Sequence, residues 1–227
     1  MATICDLDEF YRYSNLVVEL SEKNLKTTSN EKIKSVFLKF SGRGFANIGL
    51  VYADKGDYKT SREYADKGLK IQEQVGDTLA IATSFCNIGV LYASQGDIKR
   101  ATDYYEKSLV LRERIQHKRG IFECLNNLGV IYDNQGDISR AIDYYTKSLK
   151  IAEEINDKIA MAASYNNLGY IYGNQDDSEN SLKYYMKSLA IREELHDKKG
   201  ISESYNNIAH LYSKQKKYDE ALLLFKK

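Results

Sequence analysis

Apolar positions recur along the chain at three- and four-residue spacing, and the whole pattern returns every 40 residues. In one copy, Leu125, Leu128 and Tyr132 fall on a single stripe with Gly129 beside them when placed at about 100° per residue, the face of a helix packed on a neighbour. The stripe stops at Gln135-Gly136-Asp137, where Gly136 can take the left-handed conformation that closes a helix and Asp137 can cap the next. A second apolar series follows: Ile138, Ala141, Ile142, Tyr145, Ser148, Leu149 and Ala152. It ends near Asn156-Asp157, where Asp157 can cap a further helix. Each copy is therefore predicted to be a pair of antiparallel helices joined by a tight turn. Strings related to "NNLGVIYDNQGD" recur around Asn47, Asn87, Asn167 and Asn207.

Small residues stand where the paired helices must approach: Gly89, Gly129 and Gly169 on the first helix, Ala101, Ala141 and Ser181 on the second. Large ones fill the gaps, with Tyr92, Tyr132 and Tyr172 expected against Tyr105, Tyr145 and Tyr185. One hairpin cannot cover its own apolar face, so stacking completes the core and stability becomes roughly a nearest-neighbour sum. The pattern Leu125-x2-Leu128-Gly129-x2-Tyr132 followed by Ala141-x3-Tyr145 resembles the tetratricopeptide repeat, in a lengthened form similar to kinesin light chains, LGN-type adaptors and bacterial sensor and regulator proteins. That resemblance spans about residues 41–227 and implies an all-α, right-handed α-solenoid of antiparallel helix pairs. Its units fall at about 41–78, 79–118, 119–158, 159–198 and 199–227, the last stopping inside its second helix, as in a fragment of a longer protein.

Several copies depart from the pattern. In the first unit, Ser61 and Ala65 replace the small-then-aromatic pair; Asp176-Asp177 and Lys216-Lys217 replace Gly-Asp in the fourth and fifth, where looser turns are expected. Residues 1–40 fit the frame poorly. Leu7, Phe10 or Tyr11, Leu16, Val17 and Leu20 suggest a helix, "KTTSNEK" a break, and Ile33, Val36, Phe37 and Phe40 a run-in, together an N-terminal cap or degenerate repeat.

Composition removes several function classes. Lys plus Arg number 33 against 32 Asp plus Glu, which leaves no basic field for nucleic acid or an acidic membrane. No window approaches the length of a membrane span and no leader pattern opens the chain, so a cytoplasmic address is the default. Cys5, Cys86 and Cys124 lack metal-knuckle or disulfide spacing and are expected as reduced, partly buried thiols. Absence of proline with only 14 glycines favours helices joined by short turns. His117, His196 and His210 have no metal-ligand spacing, and the first two lie in or beside connections. Glu153-Glu154 and Glu193-Glu194 point about 100° apart on a helix and read as solvated faces rather than acid-base pairs. Neighbouring tyrosines read as one ring in the core and one on the helix surface. No enzyme, metal or cofactor is expected here.

The asparagines remain. Glu123, Asn127, Val130 and Asn134 lie within about 60° of one another, while the core stripe lies about 130° away. In tetratricopeptide-like solenoids the first helices line the concave surface, so the resemblance implies a groove lined by Asn47, Asn87, Asn127, Asn167 and Asn207. Leu50, Val90, Val130, Tyr170 and His210 neighbour it, with Cys86, Asn126, Asn166 and Asn206 alongside. An amide offers donor and acceptor to an extended peptide backbone without choosing its sequence. The competing reading makes the asparagine a packing signature bonded to a neighbouring repeat's backbone. Five hydrogen bonds at about 1 kcal/mol each fall short of the roughly 8 kcal/mol needed for micromolar affinity, so side-chain pockets must add to them. One turn earlier the stripe reads Arg43, Thr83, Glu123, Ala163 and Glu203, acids that would repel the acidic chaperone tails some relatives hold. The leading expectation is a non-catalytic interaction module for a peptide or amphipathic helix, serving as sensor or scaffold in signalling. The alternatives are a spacer that self-associates through repeat ends, or the regulatory region of an enzyme whose catalytic part follows Lys227.

Overall fold

In the computed structural model, residues 4–226 are described, with side chains from Leu7 onward, so the Cys5 side chain lies outside the described residues. Eleven helices and no strand occur among them: α1 Ile4–Thr27, α2 Glu31–Asp54, α3 Tyr58–Val75, α4 Thr78–Ser94, α5 Ile98–Arg114, α6 Lys118–Asn134, α7 Ile138–Glu154, α8 Lys158–Asn174, α9 Ser178–Glu194, α10 Lys198–Lys214 and α11 Tyr218–Phe225. They form two compact units, Met1–His117 and Lys118–Lys227. Within the first, α2 packs on α1 and α3 and also touches α4; within the second, α8 lies between α6 and α10. First helices of successive hairpins are thus neighbours in each unit. Expected run-in and first repeat helix prove to be one element, since α2 runs unbroken from Glu31, capped by Asn30. On α1 the buried positions are Ser14, Val18 and Ser21, while Phe10, Leu16, Val17 and Leu20 are exposed, which corrects the stripe read from the sequence. Cys86 and Cys124 are buried thiols, Cys124 completely so, rather than partly buried ones.

Turns follow the sequence reading closely. Gly136 has φ +74°, the Asp137 N–H reaches back to the Tyr132 carbonyl at 2.9 Å, and the Asp137 carboxylate accepts from the Arg140 N–H at 3.1 Å. Where glycine is missing the backbone closure of the turn is kept, although Lys217 begins α11 without a side-chain cap. Asp177 and Lys217 donate to Tyr172 and Tyr212 at 3.0 and 2.9 Å, while Asp176 and Lys216 are held at φ +59° and +61°. The departure is absorbed as backbone strain because the flanking helices fix the turn.

Two aromatic contacts build each regular hairpin. A Cβ added to Gly129 would lie 2.6 Å from Tyr145 Cδ1 and Cε1, so the ring fills the place of a glycine side chain; Tyr185 does the same at Gly169 and Tyr105 at Gly89. The other tyrosine of each pair stacks on the first helix: Tyr144 on Tyr132 at 5.3 Å and 5°, Tyr184 on Tyr172 at 5.5 Å and 12°, Tyr104 on Tyr92 at 5.6 Å and 19°. This corrects the expected partners, since Tyr132 stacks on Tyr144 rather than Tyr145, and the first ring of each pair is half-buried rather than free surface. Consecutive helical residues point about 100° apart, so one ring goes under the glycine and its neighbour goes along the hairpin edge. Buried serines close the remaining space and are satisfied, as where Ser181 donates to the Gly169 carbonyl and Ser188 to the Ala162 carbonyl.

Three substitutions test this account. Gly129→Ala should cost about 1–3 kcal/mol by forcing the Tyr145 ring to move, read as a drop in the urea midpoint; an unchanged midpoint would refute the close contact. Lys216→Gly should stabilise by about 0.5–1 kcal/mol by relieving the left-handed backbone, and Asp176→Gly by less because aspartate tolerates that region better.

Candidate functional site

The asparagines singled out in the sequence lie on the first helices of each unit. In the first unit, Asn47 on α2 and Asn87 on α4 are half-buried, with Leu50 and Val90 exposed beside them. In the second unit, Asn127, Asn167 and Asn207 stand half-buried on α6, α8 and α10; Val130, Tyr170 and His210 are exposed, and Asn126 and Asn166 are half-buried while Asn206 is exposed. Ile48, Ile88, Leu128, Leu168 and Ile208, one residue further along each helix, are all buried, so the asparagines point away from the core stripe.

Doubled asparagines do something neither sequence reading contained. Asn167 Nδ2 donates to Asn126 Oδ1 at 2.8 Å, and Asn207 Nδ2 donates to Asn166 Oδ1 at 2.8 Å. The second amide of one repeat is therefore tied to the first amide of the repeat before it, side chain to side chain rather than side chain to backbone. Each amide keeps further donor or acceptor capacity, so pairing and ligand contact are compatible. The signal was available in the sequence, since Asn-Asn occurs at 126–127, 166–167 and 206–207, whereas Ala46-Asn47 and Cys86-Asn87 break it. Ala46 stands where Asn126 and Asn166 stand, and among the described residues the Asn87 amide has no hydrogen-bond partner.

Cavities open beside these asparagines in each unit. One in the second unit, about 170 Å³, brings Tyr170, Asn174, Asn207, His210 and Lys214 together over the Tyr185 ring. Lys214 Nζ donates to the Gly173 carbonyl at 3.1 Å. Burial, with Tyr170 adding to it, pushes the Tyr185 phenol up to about 12. Burial, then the Asp133 charge and Tyr170, likewise raises Tyr145, and burial raises the Asp133 carboxyl above the usual carboxylate range. These phenols therefore stay neutral hydrogen-bonding groups at physiological pH. In the first unit one cavity of about 180 Å³ lies between α2 and α4 beside Asn87, and another of about 340 Å³ is lined by Asn47 and Asn87.

One turn before the asparagines, the acids have basic neighbours that sequence reading had not counted: Glu123 lies 3.6 Å from Arg119, Glu203 3.6 Å from Arg192, and Arg43 pairs with Asp77 at 3.2 Å. Among the described residues no group of three or more His, Cys, Asp or Glu could hold a metal ion, and no helix is long and apolar enough to cross a membrane. The arrangement is a hydrogen-bonding and apolar surface.

Tetratricopeptide repeat profiles match residues 43–114 and 160–227, and a second profile of the same family matches 122–154. The chain belongs to the tetratricopeptide repeat family. No curated protein matches its sequence. Among solved structures it is similar to BtubC (BKLC) from P. vanneervenii, with TM-score 0.81 and 18% identity over 99% of this chain and 89% of that one. It is also similar to the Signal Transduction ATPase with Numerous Domains protein PH0952 of Pyrococcus horikoshii, which has a tetratricopeptide repeat sensor (0.73, 16%, over 95% of this chain and 35% of that one). A Rap protein complexed with Competence and Sporulation Factor is a third (0.69, 15%, over 97% and 73%). These likenesses show the shared fold.

Asn167→Ala should cost about 1 kcal/mol, because it leaves the half-buried Asn126 amide without its donor. Asn87→Ala should stay within about 0.5 kcal/mol of the native chain. Equal losses at both positions, measured by urea unfolding, would mean that the amide pairing carries no stability.

Proposed function

We propose that this chain is a non-catalytic interaction module that binds an extended peptide along the asparagine-bearing face of its first helices, as the sensor or scaffold part of a larger regulator. The observation that carries the reading is a line of half-buried amides beside exposed side chains that run from apolar to polar: Asn127, Asn167 and Asn207 next to Val130, Tyr170 and His210. Amides with spare donors and acceptors suit a peptide main chain, and apolar neighbours supply the energy hydrogen bonds alone do not. The family lends support, as does the similarity to a Rap protein described in complex with a signalling factor and to a protein whose repeats are described as a sensor.

A second reading has the chain self-associate through its first hairpin. It draws on the exposed apolar residues of α1 and α2, among them Phe10, Leu20, Val36 and Phe40. Sedimentation analysis separates the two, since an end-docking segment would form dimers without any peptide.

Selection of displayed random peptides on the immobilised chain tests the leading reading. Enriched peptides should bind the native chain in the micromolar range. The Asn127→Ala, Asn207→Ala double variant, provided it remains folded, should bind them about tenfold or more weakly, corresponding to about 1.4 kcal/mol. No enrichment, or binding indifferent to both asparagines, would refute it.

A further inference from the structure

One helix of the first unit is only half used. Among the described residues α1 packs on α2 alone, whereas α3, the next second helix, lies between α2 and α4. Ser14, Val18 and Ser21 are the buried residues of α1, and a Cβ built on Gly44 of α2 would meet Val18 and the Ser14 carbonyl. About 90° further round the helix, Phe10, Tyr13, Val17 and Leu20 form a second stripe, exposed by 38–62%. That stripe runs on into α2, because Val17 Cγ1 lies 3.6 Å from a Cβ built on Gly44, one turn beyond the exposed Phe40.

The second stripe has seven-residue spacing. Phe10 and Val17 form one row, Tyr13 and Leu20 the other, which is the a and d pattern by which two helices pair along a seam. Counted with Leu16, Val36 and Phe40, at about 200 Å² for a whole large apolar residue, roughly 700 Å² stands open, against about 800 Å² that each partner brings to a stable interface.

Charge selects the partner. The row along the free edge of the seam reads Glu9, Leu16, Lys23, again seven residues apart. Both charges are exposed, and the ion pair from α1 to α2 uses Asp8 and Lys55 instead. An antiparallel copy of the same helix presents this row end for end, so Glu9 faces Lys23 of the second copy and Leu16 faces its own equivalent. In that register Phe10 meets Leu20 and Tyr13 meets Val17, which leaves no apolar layer unmatched. A parallel copy would set the charged row against the edge of Ser14 and Ser21, which is already buried.

We propose that the first hairpin is a dimer interface in which α1 pairs antiparallel with α1 of a second copy through Phe10, Tyr13, Val17 and Leu20. The proposal rests on the self-association reading above and adds the partner, the orientation and the register. The asparagine face of the second unit takes no part in it and stays open to a peptide.

Sedimentation equilibrium of the full chain over the micromolar range tests it, with circular dichroism as the check on folding. The native chain is expected to form a reversible dimer, and Leu20→Glu, at an exposed position, a monomer. Lys23→Glu sets acid against acid at both symmetric pairs and should weaken the dimer about tenfold at low salt, less at high salt. The Glu9→Lys, Lys23→Glu double variant exchanges the charges and should regain the native affinity. Dimers indifferent to both charge variants would overturn the antiparallel pairing and leave self-association standing. Dimers that survive Leu20→Glu, or assemblies that keep growing beyond two copies, would overturn the α1 seam. A native chain that stays monomeric throughout would remove the self-association reading as well.

Discussion

Contact between a glycine on one helix and a tyrosine ring on the next sets the spacing on which each regular hairpin depends. Gly89, Gly129 and Gly169 have no side chain because Tyr105, Tyr145 and Tyr185 occupy that volume. Once the ring is seated, the adjacent tyrosine is turned by about 100° onto the hairpin edge, where it stacks on Tyr92, Tyr132 or Tyr172. Such aromatic pairs add about 0.5–1.5 kcal/mol each beyond the area they bury. The serines then close what the rings leave: Ser181 and Ser188 donate to carbonyls, and Ser204 accepts from Arg192.

That contact also explains why the first helices carry the surface open to a ligand. With their glycine side committed to the partner helix, the remaining free side bears the asparagines. There the second unit has a double use for its amides, since Asn126 with Asn167 and Asn166 with Asn207 tie repeats together while retaining hydrogen-bonding capacity. In the first unit neither the glycine–tyrosine contact of the first hairpin nor the amide pair is present. Ala65 and Ala46 account for both, and both absences fall at the same cavity.

Much of this was legible in the sequence because a 40-residue period repeats the same physical demands. Gly136 and Asp137 announced their turn, and the buried stripe through Leu128 and Leu168 came directly from helical spacing. Partner choice was less legible: Tyr144 and Tyr145 are identical letters, and only the register of the hairpin decides which goes under the glycine. The α1 stripe misled because Phe10, Leu16 and Leu20 are apolar yet exposed, while Ser14 and Ser21 are buried against α2. Asn-to-Asn pairing was hidden by distance, since its partners lie 41 residues apart and meet only when α6, α8 and α10 are side by side. Ala65 was visible only as a substitution, and how closely α2 and α3 approach in its place, with the Ala65 N 3.3 Å from a Cβ on Gly49, was not.

The most direct measurement is a double-mutant cycle in urea that pairs Gly129→Ala with Tyr145→Leu. The account predicts that Gly129→Ala costs far less stability when the Tyr145 ring, which fills the glycine's side-chain space, has been removed than it does in the native chain. An equal cost in both backgrounds would contradict it.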